Sequence, residues 1–234
     1  KAKRVIEVDL VNNRVVPTSM ETRGAIGSVE PDGRLALHVS CQGVHIMRRI
    51  LATQIFNVEE NQILVTCDDV GGGFGMKIFL FPEYVCVLFA AKKLGRPVKW
   101  ISERSEAFLC DSHGRDHVSN LKLAVDDSAK ILGLKVSTIT NLGAYLSNFG
   151  PFVPTDAGVS MLVGCYAIPT AYVEVKGVFT NTAPVDAYRG AGRPEAIYAI
   201  ERLLDVAAYD LGITPAEIRK RNFIAGSSMP FKTV

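Results

Sequence analysis

The residues best placed to do chemistry lie in two glycine-rich turns and one isolated amide. Gly71-Gly72-Gly73-Phe74-Gly75 follows the apolar run Ile63-Leu64-Val65-Thr66, and Gly190-Ala191-Gly192 follows Tyr188-Arg189. Glycines let a backbone take positive φ and let a ligand come close to its amide groups. A helix opening after such a turn adds unpaired N–H donors and partial positive charge, which suit an anionic or oxo ligand. Arg189 supplies a guanidinium able to clamp phosphate or an oxo group bidentately. Gln42, between Cys41 and Gly43 at a strand-to-helix junction, supplies an amide donor. Each feature also has a plainer reading: glycines that serve only a tight turn, an exposed loop arginine, a capping or surface amide. Nucleotide loops fit poorly, because Met76 precedes Lys77 where G-x-x-x-x-G-K-[ST] needs glycine, and no G-x-G-x-x-G register exists. His113 and His117 stand four apart near Asp111 and Asp116, but Gly114 interrupts them and no third ligand has a readable spacing, so no metal site is expected there. No G-x-S-x-G elbow or Ser/His/Asp arrangement supports a serine hydrolase.

The elements that must hold these turns can be read from periodicity. Val5–Leu10 alternates as a strand, Asn12-Asn13 turns, Val15-Val16 resumes, and Arg34–Ser40 alternates after a turn at Pro31-Asp32-Gly33. Val44, Met47, Ile50, Leu51 and Ile55 fall at helical spacing to about Phe56. Ile63–Thr66 is a short strand before the first glycine turn, and a helix runs from Pro82 to Leu94 with Gly95 as its stop. Pro97–Ile101 is expected as a strand returning beside the one before the turn, a βαβ-like unit. Residues 117–180 read mostly as strands, with a hairpin turn at Asp126–Lys130 and a loop at Asn148–Pro154. Ile197, Ile200, Leu203, Leu204, Ala207, Ala208 and Leu211 mark one apolar helix face ended by Gly212, and Thr214-Pro215-Ala216-Glu217 is a capping box that opens a last helix. The fold class is α+β, with mixed sheets and packed helices.

Composition narrows the function. At 234 residues and 48% apolar content the chain can bury a sizeable core. Lys and Arg number 26 against 24 Asp and Glu, so a net charge of +2 provides no field for nucleic acid or an anionic membrane. The richest apolar stretch, Ile78–Ala91, is broken by Pro82 and Glu83 and is too short to span a bilayer. Five cysteines, at 41, 67, 86, 110 and 165, form no CxxC, which points to reduced thiols, a cytoplasmic setting and no zinc or iron–sulfur cluster bound by this chain. The chain opens on Lys1 rather than Met, as expected of a processed protein or a piece of a longer one.

Together the motifs are far more specific than any one of them. Asp69-Val70-Gly71-Gly72-Gly73-Phe74-Gly75-Met76-Lys77, Ser40-Cys41-Gln42-Gly43-Val44-His45, Ala187-Tyr188-Arg189-Gly190-Ala191-Gly192-Arg193-Pro194-Glu195-Ala196 and Leu211–Asn222 resemble, in order and spacing, segments of the molybdenum hydroxylases. That family comprises the xanthine oxidase, aldehyde oxidase and carbon monoxide dehydrogenase large subunits. The resemblance implies that residues 1–234 are the first molybdopterin-binding domain of a longer large subunit, with two subdomains meeting near 105–117. It implies a molybdenum–molybdopterin cofactor, in its cytosine dinucleotide or another form, whose metal is held by pterin sulfurs rather than protein side chains. Gln42, Gly72, Gly73, Phe74, Gly75, Arg189 and Gly190 would contact it. The implied reaction hydroxylates a carbon centre of an aldehyde, N-heterocycle or similar small molecule with oxygen from water. Electrons would leave through iron–sulfur and flavin (FAD) partner subunits or domains.

Three departures from the family pattern refine this expectation. Ile78 stands where the purine-oxidising branch has a glutamate, which disfavours a purine-like ring. Gly190 stands where the carbon monoxide branch has a copper-binding cysteine, and Ala191 replaces a substrate-packing aromatic of some relatives, implying a different or roomier pocket. The family's general-base glutamate lies in a second cofactor domain, so no residue of this chain is expected to be catalytic and the chain alone is expected to be inactive. The alternative is a non-catalytic module that keeps the turns for another anion or for folding alone.

Overall fold

The computed structural model describes residues 2–234. In chain order its elements are β1 (Arg4–Asn12), β2 (Gly24–Val29), β3 (Leu35–Val39), α1 (Val44–Ile50), β4 (Ile63–Thr66), α2 (Pro82–Leu94), β5 (Val98–Ile101), α3 (Arg104–Cys110), β6 (His117–Val125), β7 (Ile131–Gly143), β8 (Ala171–Phe179), α4 (Arg193–Leu211) and α5 (Pro215–Asn222). They divide into two compact units. One is the continuous segment Val16–Ser112, and the other combines Lys1–Val15 with His113–Val234. The continuous segment is therefore an insertion in the second unit, which we call the host.

The inserted unit carries a four-stranded mixed sheet in the order β4-β3-β2-β5. β3 and β4 run parallel, with His38 opposite Thr66, while β2 pairs antiparallel with both β3 and β5. α2 buries Tyr84, Val87, Leu88 and Ala91, and the sheet buries Ala25, Leu37, Val39 and Val65. The expected return of the 98–101 strand beside the 63–66 strand is not what forms. β5 lies at the opposite edge, antiparallel to β2, because the intervening strand Gly24–Val29 takes the position between. That strand and α3 were not foreseen; its two glycines interrupt the alternation that marks strands. α1 ends at Ile50 and continues as a π-helical turn over Leu51–Phe56.

The host unit pairs β1-β6-β7-β8, antiparallel except for the parallel β7–β8 pair. Its buried face, including Leu121, Leu123, Val125, Leu134 and Val136, packs with Ile200, Leu203, Leu204, Ala207 and Ala208 of α4 and Ile218 of α5. Ile197, expected on the same stripe, is 49% exposed, and Ala196 and Ala199 take the buried positions instead. The resumption of a strand at Val15-Val16 reduces to one isolated bridge from Val15 to Gly114. Residues 153–157, read as loop and strand, form a π-helical turn. Pro154 sits at its N-terminal end, where the missing N–H costs nothing. The Thr214 hydroxyl accepts the Glu217 N–H at 3.1 Å and caps α5.

Candidate functional site

In the inserted unit, β4 ends at Thr66 and the first glycine turn follows. Gln42 reaches it from the end of β3. The Gly75 N–H donates to Gln42 Oε1 at 2.8 Å. A Cβ on Gly73 would lie 2.4 Å from that same oxygen, so only glycine lets the amide lie over this backbone. With its carbonyl engaged, Gln42 presents Nε2, which has no protein partner among the described residues, from an exposed side chain. A locked amide with its donor end outward fits a ligand that carries an oxo acceptor. Phe74 holds φ +53° between Gly72 and Gly75, both also at positive φ, and its ring is 40% exposed beside Gly72. For a non-glycine residue that backbone costs on the order of 1 kcal/mol and persists only where surroundings enforce it. Ile78 is half-buried in a short 3-10 turn (Met76–Ile78).

Two residues that sequence reasoning did not select hold this turn. Glu21 Oε2 accepts from the Gly71 N–H (2.9 Å), Lys77 Nζ (2.8 Å) and Ser40 Oγ (2.5 Å). Burial pushes the Glu21 carboxyl up, but the bonds from Lys77, Ser40 and Gly71 outweigh it and hold its pKa below the ordinary value. Lys77 is wholly buried, so this partner is what makes its burial affordable. Lys77 was visible in the motif, but Glu21 lies 50 residues from Gly71, beyond any spacing rule.

In the host unit, Gly190, Ala191 and Gly192 take φ of +96°, +38° and +86° in succession. Gly192 opens α4. A Cβ there would come within 2.7 Å of Gly158 N and closer still to Val153 O, so the turn and the 153–158 segment touch backbone to backbone. Arg189 and Gly190 are exposed and Ala191 is half-buried. The brace for this turn is Arg115, also missed. Its guanidinium donates to the carbonyls of Tyr188 (2.8 Å) and Arg189 (2.9 Å) and to Glu195 Oε1 (3.1 Å), and it lies 5.0 Å over the Tyr188 ring. Arg115 and Asp116 both hold positive φ, fixed by bonds from Arg14 (2.8 Å) and Asn141 (2.9 Å) to the Asp116 carboxylate. Behind the turn is a cavity of about 40 Å³ whose polar lining is His117, Ser119, Thr138 and Glu195. Glu195 Oε2 is buried with no hydrogen-bond partner among the described residues. His117, 7% exposed, has its pKa lowered by burial.

His113 Nδ1 lies 3.1 Å from an Arg14 guanidinium nitrogen, and the described residues contain no group of three potential metal ligands. No helix among the described residues is long and apolar enough to cross a membrane.

Comparison with known proteins places these features in a family. The model for the molybdopterin cofactor-binding domain matches residues 1–223. The carbon monoxide dehydrogenase large chain of Hydrogenophaga pseudoflava is 38% identical over 223 residues, covering 94% of this chain and 28% of that one. Subunit gamma of the 6-hydroxypseudooxynicotine dehydrogenase complex of Paenarthrobacter nicotinovorans is 35% identical over 99% of this chain and 29% of its own length. Among solved structures, quinoline 2-oxidoreductase from Pseudomonas putida 86 superposes with a TM-score of 0.92 at 35% identity, covering 99% of this chain and 30% of that one. The chain thus spans under a third of the length of these relatives.

Proposed function

The chain belongs to the molybdopterin cofactor-binding domain family, and from that premise we propose that it forms one part of the cofactor pocket of a molybdenum hydroxylase. The single observation carrying the reading is the Gln42 amide, fixed through its carbonyl by the Gly75 N–H so that its donor end is free for a ligand oxygen. In this reading the whole chain is the first cofactor domain of a large subunit. Gln42 donates to the cofactor's oxo group, and the backbone of Gly72–Gly75 with Phe74 lies against the cofactor. Arg189 and Gly190 contribute the second turn. The cofactor, when bound, supplies two-electron oxidation of a carbon centre with oxygen from water.

The chain's own contribution is positioning. Gln42 orients, each glycine turn admits close approach, Ile78 brings an apolar side chain rather than a carboxylate to its turn, and Ala191 leaves its own turn uncrowded. An apolar residue at position 78 suits an aldehyde or an apolar N-heterocycle better than a purine. Gly190 offers no thiolate for copper, so carbon monoxide oxidation through a copper-bound cysteine is disfavoured. The proton acceptor for the substrate would come from a glutamate outside these residues, and iron–sulfur and FAD partners would carry the electrons away. A cytoplasmic setting accords with five cysteines, none of them in a disulfide.

Metal and pterin analysis of the intact protein tests the reading. Molybdenum with a pterin dinucleotide in stoichiometric amount is expected, and Gln42→Ala is expected to lower molybdenum occupancy while the fold persists. An intact protein purified without molybdenum or pterin, and unable to take them up, would leave the non-catalytic module as the correct function.

A further inference from the structure

Cys41 and Cys67 lie where two functional segments leave the same end of the sheet. β3 and β4 are parallel with His38 opposite Thr66, so Cys41 follows three residues beyond that pair and Cys67 one residue beyond. The Cys67 Sγ accepts from the Cys41 N–H at 3.5 Å and donates to the Cys41 carbonyl at 3.3 Å. One sulfur therefore already rests on the backbone of the other cysteine. Cys41 is 5% exposed, whereas Cys67 is half-buried. Together with Gln42 and His45 they line a surface depression of about 460 Å³, wide enough to admit a small oxidant. Burial pushes the Cys41 thiol's pKa up, and the Cys67 thiol beside it adds to the rise.

We propose that Cys41 and Cys67 form an oxidation site, a dithiol that a peroxide-class oxidant converts to a disulfide. The accessible Cys67 sulfur attacks one peroxide oxygen, the O–O bond breaks, and Cys67 becomes a sulfenic acid as the other oxygen leaves as water. The Cys41 sulfur then attacks Cys67, an S–S bond forms, the S–O bond breaks and a second water departs. Two thiols lose two electrons and two protons, and one peroxide is reduced to two waters. Cys41 directly precedes Gln42 and Cys67 opens the segment leading to Gly71–Gly75, so the bond ties together the backbones that carry the Gln42–Gly75 contact. Closure draws Cys41 toward Cys67 and shifts the Gln42 amide from the Gly75 N–H.

The test uses the intact protein as isolated, treated with hydrogen peroxide, blocked with an alkylating reagent and digested without reductant. Mass spectrometry is expected to show a Cys41–Cys67 linked peptide as the dominant disulfide among the five cysteines of residues 1–234, with the loss of those two thiols reversed by dithiothreitol. Hydrogen exchange of the Gly75 amide is expected to be faster in the oxidised form. Cys67→Ser, at the less buried position, is expected to abolish the link, and its thermal melt shows whether it is folded. Independently of any variant, recovery of Cys41 and Cys67 as separately alkylated or over-oxidised residues would overturn the proposal. So would random pairing with Cys86, Cys110 and Cys165. None of these readouts depends on molybdenum, so the oxidation site and the cofactor reading stand or fall separately.

Discussion

At the scale of single residues, the first glycine turn is defined by what lies on top of it. A methyl group on Gly73 would occupy the space of the Gln42 amide, 2.4 Å from its oxygen. Gly73→Ala is therefore expected to displace Gln42 and cost about 1–3 kcal/mol, the usual penalty of overpacking, measured by urea unfolding. Gln42→Ala should be milder, about 1 kcal/mol, because it loses a single partly exposed hydrogen bond. Both variants should lose cofactor affinity. If Gly73→Ala matched the parent in both measurements, Gln42 would not be held as described. Both residues were legible in the sequence as a motif. Their contact was not, because 33 residues separate Gly75 from Gln42.

At the scale of elements, the second turn depends on a brace from a distant strand junction. Arg115→Ala would strip the guanidinium from two loop carbonyls, of which Tyr188's keeps the Ala191 N–H, and from the buried Glu195 carboxylate, 6% exposed. Removing one partner of such a buried pair costs about 3–5 kcal/mol. A thermal melt of the variant is expected to show that loss, and an unchanged melt would remove Arg115 from this role. His117, at the start of β6, sets an acid limit. Its folded pKa lies below the ordinary 6.5 because burial disfavours the charged ring. Stability is then complete above 6.5 and declines as pH falls from there toward the folded value, since the unfolded chain takes up the proton first. His117→Asn should flatten the pH dependence of unfolding in that window; a slope identical to the parent's would place the acid sensitivity elsewhere.

At the scale of the whole molecule, the chain leaves the host unit at Val15 and returns at His113. Val15 and Gly114 exchange backbone hydrogen bonds of 3.1 and 2.9 Å, so exit and re-entry are neighbours within the host. Excising residues 16–112 and closing the gap with a short glycine–asparagine turn is expected to yield a host unit that melts cooperatively, followed by circular dichroism. A non-cooperative or absent transition would show that the host needs its insertion to fold.

The sequence by itself determined the α+β class, the glycine turns, the helix from Pro82 to Leu94 with its glycine stop, the Thr214 cap and the family to which the motifs point. These depend on conformational preferences that act over a few residues. Only the tertiary structure decided that β5 pairs with β2 rather than β4, that Ile197 faces out, and that Glu21, Lys77 and Arg115 fasten the two turns. Those choices join residues 50 to 80 positions apart. They follow from how buried charges and carbonyls find partners once the sheets have formed, and no local pattern encodes that.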